Sequence, residues 1–196
     1  LMLCKKYPID IIAIGNGTAS RETETLIAEF IAQNKLNISY TIVSEAGASV
    51  YSASALARAE FPDLHVEQRS AISIARRILD PLAELIKIDP QSIGVGQYQH
   101  DLPVSRLKER LDFTVSKTVN RVGVDLNTAS QELLTHISGL NKTMAKNIVE
   151  YRDENGRFKD RSQLLKVKSI GEKAFVQAAG FLRIKEGKNW LDETAI

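Results

Sequence analysis

The sequence predicts a mixed α+β and α/β architecture, in which a partial α/β domain is followed by an all-α domain. In the first half, short apolar runs at residues 9–14 and 40–43 flank an amphipathic helix, and this order implies a right-handed unit with parallel strands. In the second half, one pattern of helix, tight turn and helix occurs twice, with Gly139 in the position that Ser169 occupies in the second copy. The 196 residues are enough for two small domains with their own cores.

Periodicity and helix-start signals place the elements of the first half. Residues 9–14, between a Pro and a Gly, predict a buried strand, and residues 40–43 predict a second strand. Ser20 is the predicted N-cap of the helix between them. Apolar residues at helical spacing predict further helices at residues 49–60 and 71–88. A sheet of two or three strands is small for an α/β domain, so this domain is predicted to be partial.

The second half is predicted to consist of helices. Residues 102–122 keep an apolar stripe and predict one long helix. This helix is either a rigid spacer or the first layer of the core of the domain that follows. We favour the second role because an apolar stripe must be buried against other residues. Short helices are predicted at residues 130–137, 142–153, 162–167 and 172–179. The tail from Gly187 shows little pattern, and we expect Trp190 to dock on the fold.

The repeated pattern has the properties of a helix-hairpin-helix motif. A turn this short leaves the first backbone N–H groups of its second helix unpaired, and the helix dipole adds partial positive charge there. Each turn can therefore bind a phosphate oxygen of a nucleic acid without reading its sequence. We expect Leu140 and Ile170, in the middle of the turns, to point into the core. The predicted nucleic-acid-binding residues are Gly139, Leu140, Asn141, Lys142, Lys146, Lys168, Ser169, Ile170, Gly171 and Lys173.

Charge supports this interpretation, whereas the composition of the turns weakens it. The net charge is only +2, but basic residues outnumber acidic ones between positions 142 and 185 and are outnumbered elsewhere. The first copy has Asn141 where the second has Gly171, and the second has Ser169 where the first has Gly139. Each turn thus lacks one of the two glycines that would give it full backbone freedom. A second interpretation therefore stays open, in which the hairpins form a protein-docking scaffold.

Composition and motifs argue against several other classes of protein. The single Cys cannot form an intramolecular disulfide, the three His lack metal-ligand spacing, and no apolar run approaches the roughly 20 residues that span a membrane. Gly15 and Gly17 lack the third Gly of a dinucleotide loop, and we interpret them as a sharp turn. Glu45 is the only weak catalytic candidate, because a two-metal nuclease needs several converging carboxylates. We therefore expect no enzymatic activity, no metal and no cofactor.

Several segments carry a resemblance to a known family. They are residues 12–24, 43–51 and 94–101 in the first half, and residues 126–130, 137–140, 148–158 and 164–171 in the second. In this order they resemble the Tex family of bacterial transcription accessory proteins over nearly the whole chain. The resemblance implies a partial YqgF-type, RNase H-like α/β domain at residues 1–96, a loop and long helix at 97–123, a tandem helix-hairpin-helix domain at 124–186 and a tail at 187–196.

The resemblance also implies a setting for the chain. It implies a cytoplasmic, transcription-associated factor that binds RNA or DNA and contacts proteins of the transcription machinery. Glu45 matches an acidic strand-end position of YqgF-type domains, which keeps a residual RuvC-like, metal-dependent nuclease as a weaker third hypothesis. The earlier strands of the domain would precede Leu1, so we interpret the chain as a fragment. We expect its exposed sheet edge to support a dimer or to be covered by the amino end of the chain.

Overall fold

The computed structural model describes residues 1–194, and the contacts of the chain divide it between Ile93 and Gly94 into two compact units. The elements of the first unit are α1 (Met2–Lys6), β1 (Ile11–Gly15), α2 (Ser20–Asn34), β2 (Ser39–Val43), α3 (Ala48–Ala53), α4 (Ala55–Glu60), α5 (Val66–Leu79), α6 (Pro81–Leu85) and a 3₁₀ helix at Pro90–Ile93. Among residues 1–194, no helix combines the length and the apolar character that crossing a membrane requires.

The strands β1 and β2 form a parallel two-stranded sheet, which confirms the predicted strand–helix–strand unit. The register aligns Ile11 with Ser39 and Gly15 with Val43. Helix α5 packs against both strands and against α3. The prediction of a buried strand is wrong for most of β1, because only Ile14 is buried and Ile11 keeps 42% of its surface exposed. Two strands with one main covering helix leave much of the sheet open to solvent.

The helix predicted at residues 71–88 is two helices, α5 and α6. Pro81 has no backbone N–H and excludes helical geometry from the residue before it. Asp80 accordingly lies outside the helical region, with φ −149° and ψ 89°. Its side chain then caps α6 by accepting the N–H of Ala83 at 2.9 Å. The Asp–Pro pair therefore ends one helix and begins the next.

Two other predicted helix boundaries in the first unit are also wrong. The helix predicted at residues 49–60 is interrupted at Ser54, whose Oγ accepts the N–H of Ala57 at 3.1 Å and so starts α4. Ser20 is the first residue of α2 rather than its N-cap. Ala19 holds the N-cap position, and no side chain caps this end of the helix within the described part of the chain.

The second unit is mainly helical. Its elements are α7 (Val104–Val122), β3 (Val124–Asp125), α8 (Gln131–Leu134), α9 (Lys142–Asn155), α10 (Glu172–Ala178) and β4 (Leu182–Arg183), with 3₁₀ helices at Gln99–Asp101, Arg161–Lys166, Ala179–Phe181 and Trp190–Glu193. The long helix α7 is confirmed, although its amino-terminal half leaves Val104 and Phe113 exposed and Val119 is its fully buried residue. The two-residue strands β3 and β4 pair in parallel.

Polar side chains tie the core of the second unit to its loops. Phe158 is buried and stacks on Tyr151, with ring centroids 5.1 Å apart. The amide of Asn127 bonds to both backbone groups of Phe158, donating to its carbonyl at 2.9 Å and accepting its N–H at 2.7 Å. Arg152 donates to the carbonyl of Ala129 at 3.0 Å. These bonds satisfy backbone N–H and C=O groups that have no hydrogen-bond partner within a helix or a sheet.

The carboxyl-terminal segment docks through a different residue from the predicted one. Trp190 keeps 73% of its surface exposed, so the prediction that it docks is wrong. Asp192 is buried instead, and its carboxylate accepts the N–H of Arg161 at 3.0 Å. The carbonyl of Asp192 also accepts the N–H of Ile184 at 2.8 Å. Because Asp192 satisfies these buried donors, the segment turns this residue inward and leaves the indole in solvent.

Candidate nucleic-acid interface

The two hairpin turns have equivalent backbone conformations. Gly139 and Ser169 both have positive φ, at 87° and 72°. Two residues later, Asn141 and Gly171 hold the N-cap positions of α9 and α10 with extended backbones, at φ −112° and −101°. The correspondence between the two copies in the sequence is therefore confirmed in three dimensions.

The apolar residue in the middle of each turn is buried, as predicted. Leu140 keeps 9% of its surface exposed and Ile170 keeps 6%. The N–H of each donates at 3.1 Å to the carbonyl three residues earlier, on Ile137 and Val167. Since the apolar side chain points into the core and its amide is used in the turn, the amides that follow at the start of α9 and α10 lie at the surface.

The first turn is not degraded by Asn141, and the expectation that it would be is wrong. Its extended φ is accessible to any residue, so glycine is not required there. The Oδ1 atom of Asn141 accepts the N–H of Met144 at 2.9 Å, which is the usual bond of an Asn N-cap. The N–H groups of Lys142 and Thr143 precede this bond and have no carbonyl to donate to within the helix.

Each turn packs against the second helix of the other copy. Asn147 in α9 donates from Nδ2 to the carbonyl of Lys168 at 2.8 Å and lies 3.4 Å from Ser169 Oγ. Conversely, a Cβ at Gly139 would lie 2.6 Å from the Cβ of Gln177 in α10. Asn147 and Gln177 occupy equivalent positions in the two copies. The two turns are thus held at a fixed separation by reciprocal contacts.

The first turn is also tied to α7. Asn120 donates to the carbonyl of His136 at 2.8 Å and to that of Ser116 at 2.7 Å, and its Oδ1 accepts the N–H of Ser138 at 2.9 Å. The Nδ1 atom of His136 lies 3.1 Å from Ser116 Oγ. Burial lowers the pKa of His136, against the opposing effect of the Asp112 carboxylate. The neutral imidazole is therefore favoured beneath this turn.

Charges near the two turns differ. Lys142, Lys168 and Lys173 are exposed. Lys146 is also exposed and pairs with Glu150 at 3.3 Å in a solvent-screened bond that contributes little. The first turn of α9 contains no acidic residue, whereas that of α10 contains Glu172. The first hairpin therefore has the more favourable electrostatic environment for a phosphate.

The sequence interpretation missed the polar residues that hold this site together. Asn120 and Asn147 lie within helices, where an isolated Asn is usually a solvated residue, and His136 had no evident partner. Their contacts join residues far apart in the chain, and no local pattern marks such pairs. The sequence did offer one signal for Asn120, because this polar residue lies beside the apolar stripe of α7.

Glu45 lies in a separate cavity of about 330 Å³ in the first unit, at the end of the sheet. The predicted turn is present at residues 17–20, where the N–H of Ser20 donates to the Gly17 carbonyl at 3.1 Å, although neither Gly15 nor Gly17 has a positive φ. The exposed Glu45 carboxylate lies where a Cβ at either glycine would stand. The backbone N–H of Glu45 donates to Asn16 Oδ1 at 3.0 Å. Among residues 1–194, no three His, Cys, Asp or Glu side chains are grouped so that they could hold a metal ion.

Together, these features define a class of protein, in which an α/β unit precedes a unit with two helix-hairpin-helix turns. Residues 1–79 match the family model of the Tex protein YqgF-like domain, and residues 119–183 match that of the helix-hairpin-helix motif. The chain is therefore a Tex-type YqgF-like sequence followed by a helix-hairpin-helix sequence.

Similarity to individual proteins extends over both units. The transcriptional accessory protein Tex of Neisseria gonorrhoeae is 60% identical over 99% of this chain and 26% of its own length. The protein tex of Bordetella pertussis is 58% identical over 99% of this chain and 25% of its own length. A human S1 RNA-binding domain-containing protein is 55% identical over 94% of this chain and 19% of its own length. The chain thus resembles Tex along nearly its whole length and spans about a quarter of these bacterial relatives.

Proposed function

We propose that the second unit binds the phosphate backbone of RNA or DNA through its two hairpin turns, without sequence specificity. The observation that carries this proposal is the equivalence of the turns, each of which buries its apolar centre, Leu140 or Ile170. The first amides of α9 and α10 are then free to donate to phosphate oxygens. Two such sites, held at a fixed separation, would contact one nucleic acid at two points and position it.

The setting that we propose is transcription. One bacterial relative carries the name transcriptional accessory protein, and a human relative is named for an S1 RNA-binding domain. We infer from these names that the chain belongs to a cytoplasmic, transcription-associated accessory factor. Its protein partners would then be components of the transcription machinery.

We further propose that Glu45 has a structural rather than a catalytic role. Its carboxylate lies against the backbone of Gly15 and Gly17, and its own N–H is bonded to Asn16. A two-metal nuclease would need further converging carboxylates. The test is incubation of labelled RNA and DNA with Mg²⁺. Cleavage by the native chain that disappears in Glu45→Gln would overturn this assignment.

The phosphate-binding proposal is tested by fluorescence anisotropy of labelled single- and double-stranded RNA and DNA across a salt series. The native chain is compared with Lys142→Ala/Lys173→Ala. Because each lysine at a phosphate releases about one counterion, we expect the double variant to bind more weakly and the slope of log affinity against log salt to fall by about 2. Lys5→Ala/Lys35→Ala removes the same charge from the first unit and serves as the control.

Two outcomes would contradict the proposal. If the control variant loses as much affinity as the hairpin variant, binding follows overall charge rather than the turns. If no nucleic acid binds even at low salt, the hairpins are better explained as a protein-docking scaffold.

A further inference from the structure

The exposed Trp190 stands on a segment whose backbone is fixed by hydrogen bonds. Single exposed apolar residues are ordinary on protein surfaces, but this one begins a 3₁₀ helix that is capped and anchored. The Oδ1 atom of Asn189 accepts the N–H of Leu191 at 3.1 Å. The N–H of Asp192 donates to the Asn189 carbonyl at 2.9 Å, and Thr194 donates to that of Leu191 at 3.1 Å. The fold thus anchors the backbone that carries the indole and leaves the indole itself exposed.

The anchor of this segment also joins it to the second hairpin. Arg161 opens the 3₁₀ helix Arg161–Lys166 that leads into the turn at Ser169. Its Nε atom lies 3.7 Å from Asp192 Oδ1 and donates to the carbonyl of Leu182 at 2.7 Å. Both Arg161 and Asp192 side chains are largely buried. The position of the Trp190 segment is therefore fixed relative to the helix that carries the second turn.

The acidic side chains near the segment are used in internal bonds. The Asp160 carboxylate accepts the N–H of Ser162 at 2.7 Å, and this bond lowers the pKa of Asp160. Asp192 pairs with Arg161, and the Glu193 carboxylate accepts the N–H of Glu186 at 2.8 Å. These carboxylates are fixed by backbone donors, so they are not free to turn toward a ligand.

The basic side chains of the segment are, in contrast, exposed. Lys159, Lys185 and Lys188 all lie at the surface. The N–H of Lys188 donates to the carbonyl of Lys159 at 2.8 Å, which brings two of them together. Neither Lys159 nor Lys185 forms an ion pair with any residue among positions 1–194, although the Glu186 side chain is also exposed. The exposed ring, on an anchored backbone, thus lies in a segment with exposed lysines, of which Lys188 also interacts with the Asp160 carboxylate.

We infer that Trp190 is a stacking platform for an unpaired base of a single-stranded nucleic acid, with Lys159, Lys185 and Lys188 at its phosphates. This inference rests on the proposed function and narrows it to single strands. Bases in a duplex are stacked on each other and cannot cover the ring, whereas every unpaired base offers a π-face. The six residues of the 3₁₀ helix Arg161–Lys166 span about 12 Å at about 2 Å per residue. One strand that extends from Trp190 along this helix would also contact the second turn.

The experiment uses intrinsic fluorescence, because Trp190 is the single tryptophan in the sequence. The chain is titrated at low salt with unlabelled oligouridine, oligothymidine and a DNA duplex of equal length, and anisotropy with labelled oligonucleotides gives the affinities. We expect the single strands to quench Trp190 emission over the same concentrations at which they bind. The duplex should leave the emission unchanged. Comparison of the uridine and thymidine arms identifies the preferred strand chemistry.

Variants test the ring itself. Trp190→Ala should weaken single-strand binding on the order of tenfold, since stacking is sequence-tolerant and strong, and Trp190→Phe should restore most of the affinity. Phe113→Ala removes another exposed aromatic of the same unit and should leave binding unchanged. Because Trp190 is mostly exposed, thermal melting of its variants should match the native chain.

The outcomes separate this inference from the proposed function. Salt-sensitive single-strand binding with unchanged Trp190 emission, or with full affinity in Trp190→Ala, overturns the inference and leaves the hairpin proposal intact. Quenching that Lys142→Ala/Lys173→Ala does not weaken supports the Trp190 site and contradicts the hairpin proposal. Failure of every oligonucleotide to bind overturns both.

Discussion

Ser169 and Gly139 occupy the same position in the two turns but meet different surroundings. Ser169 has a Cβ at φ 72°, a conformation that costs a residue with a side chain about 1–2 kcal/mol. It is held there by the buried Ile170 and by the Asn147 amide. Gly139 has no room for the same side chain, because a Cβ would lie 2.6 Å from Gln177 Cβ and 3.2 Å from the Ala174 carbonyl. Equivalent positions therefore differ in what they tolerate.

The two positions should respond differently to substitution. We expect Gly139→Ala to lower the free energy of unfolding by about 2–3 kcal/mol, since it adds positive-φ strain and a steric collision. Ser169→Gly should change it by less than about 1 kcal/mol, because relief of strain is offset by the greater freedom of Gly in the unfolded chain. Urea unfolding followed by circular dichroism measures both. A Gly139→Ala variant as stable as the native chain would contradict the close packing of this turn.

At the scale of elements, the hairpins depend on side chains that link one helix to another. Asn120 joins α7 to the first turn through two hydrogen bonds, to the His136 carbonyl and the Ser138 N–H. Asn147 joins α9 to the second turn. Because short helices are marginal alone, such links and the shared core determine where the turns lie.

Removal of the Asn120 amide tests this link. Asn120→Ala should lower the free energy of unfolding by about 1–2 kcal/mol, because the Ser138 N–H and the His136 carbonyl lose their partner. The matched control is Asn155→Ala, whose amide bonds, among residues 1–194, to the carbonyl of Tyr151 within its own helix. The control should lose less than about 0.5 kcal/mol in the same urea titration. Equal losses of unfolding free energy in the two variants would mean that the bonds of Asn120 to the first turn add no stability.

At the scale of the whole molecule, the sheet of the first unit remains open. The strand β1 pairs with β2 alone among the described residues. Ile11, Tyr40 and Ile42 are exposed on the two strands. Helix α1 does not add a strand, and its apolar residues Met2 and Leu3 are exposed, as is Leu1 before it. An open apolar edge is a template for another strand.

We therefore expect the chain to self-associate through this edge. Sedimentation velocity over a range of concentrations should show dimers, and Ile11→Lys should shift the equilibrium toward monomers because a charge at the edge opposes strand pairing. Leu26→Lys adds the same charge at an exposed position on α2 and should leave the dimer intact. A native chain that stays monomeric at every concentration would contradict this prediction.

Much of the fold was predictable because it depends on local patterns. Apolar spacing identified α2, α7 and α9, and strand–helix–strand order correctly implied parallel β1 and β2. Pro81 signals the end of a helix in the sequence, but the prediction of one helix at residues 71–88 overlooked it. In the candidate site, the repeat itself identified both turns and the burial of Leu140 and Ile170.

By itself, then, the sequence determined the kinds of elements, the repeat and the apolar centres of the turns, since these follow from spacing and from backbone freedom within a few residues. Only the tertiary structure decided that the Glu45 carboxylate lies beside Gly17, that Asn147 holds the second turn, and that Trp190 faces solvent while Asp192 is buried. These features join residues distant in the chain. Their geometry depends on how elements pack together, and local periodicity does not carry that information.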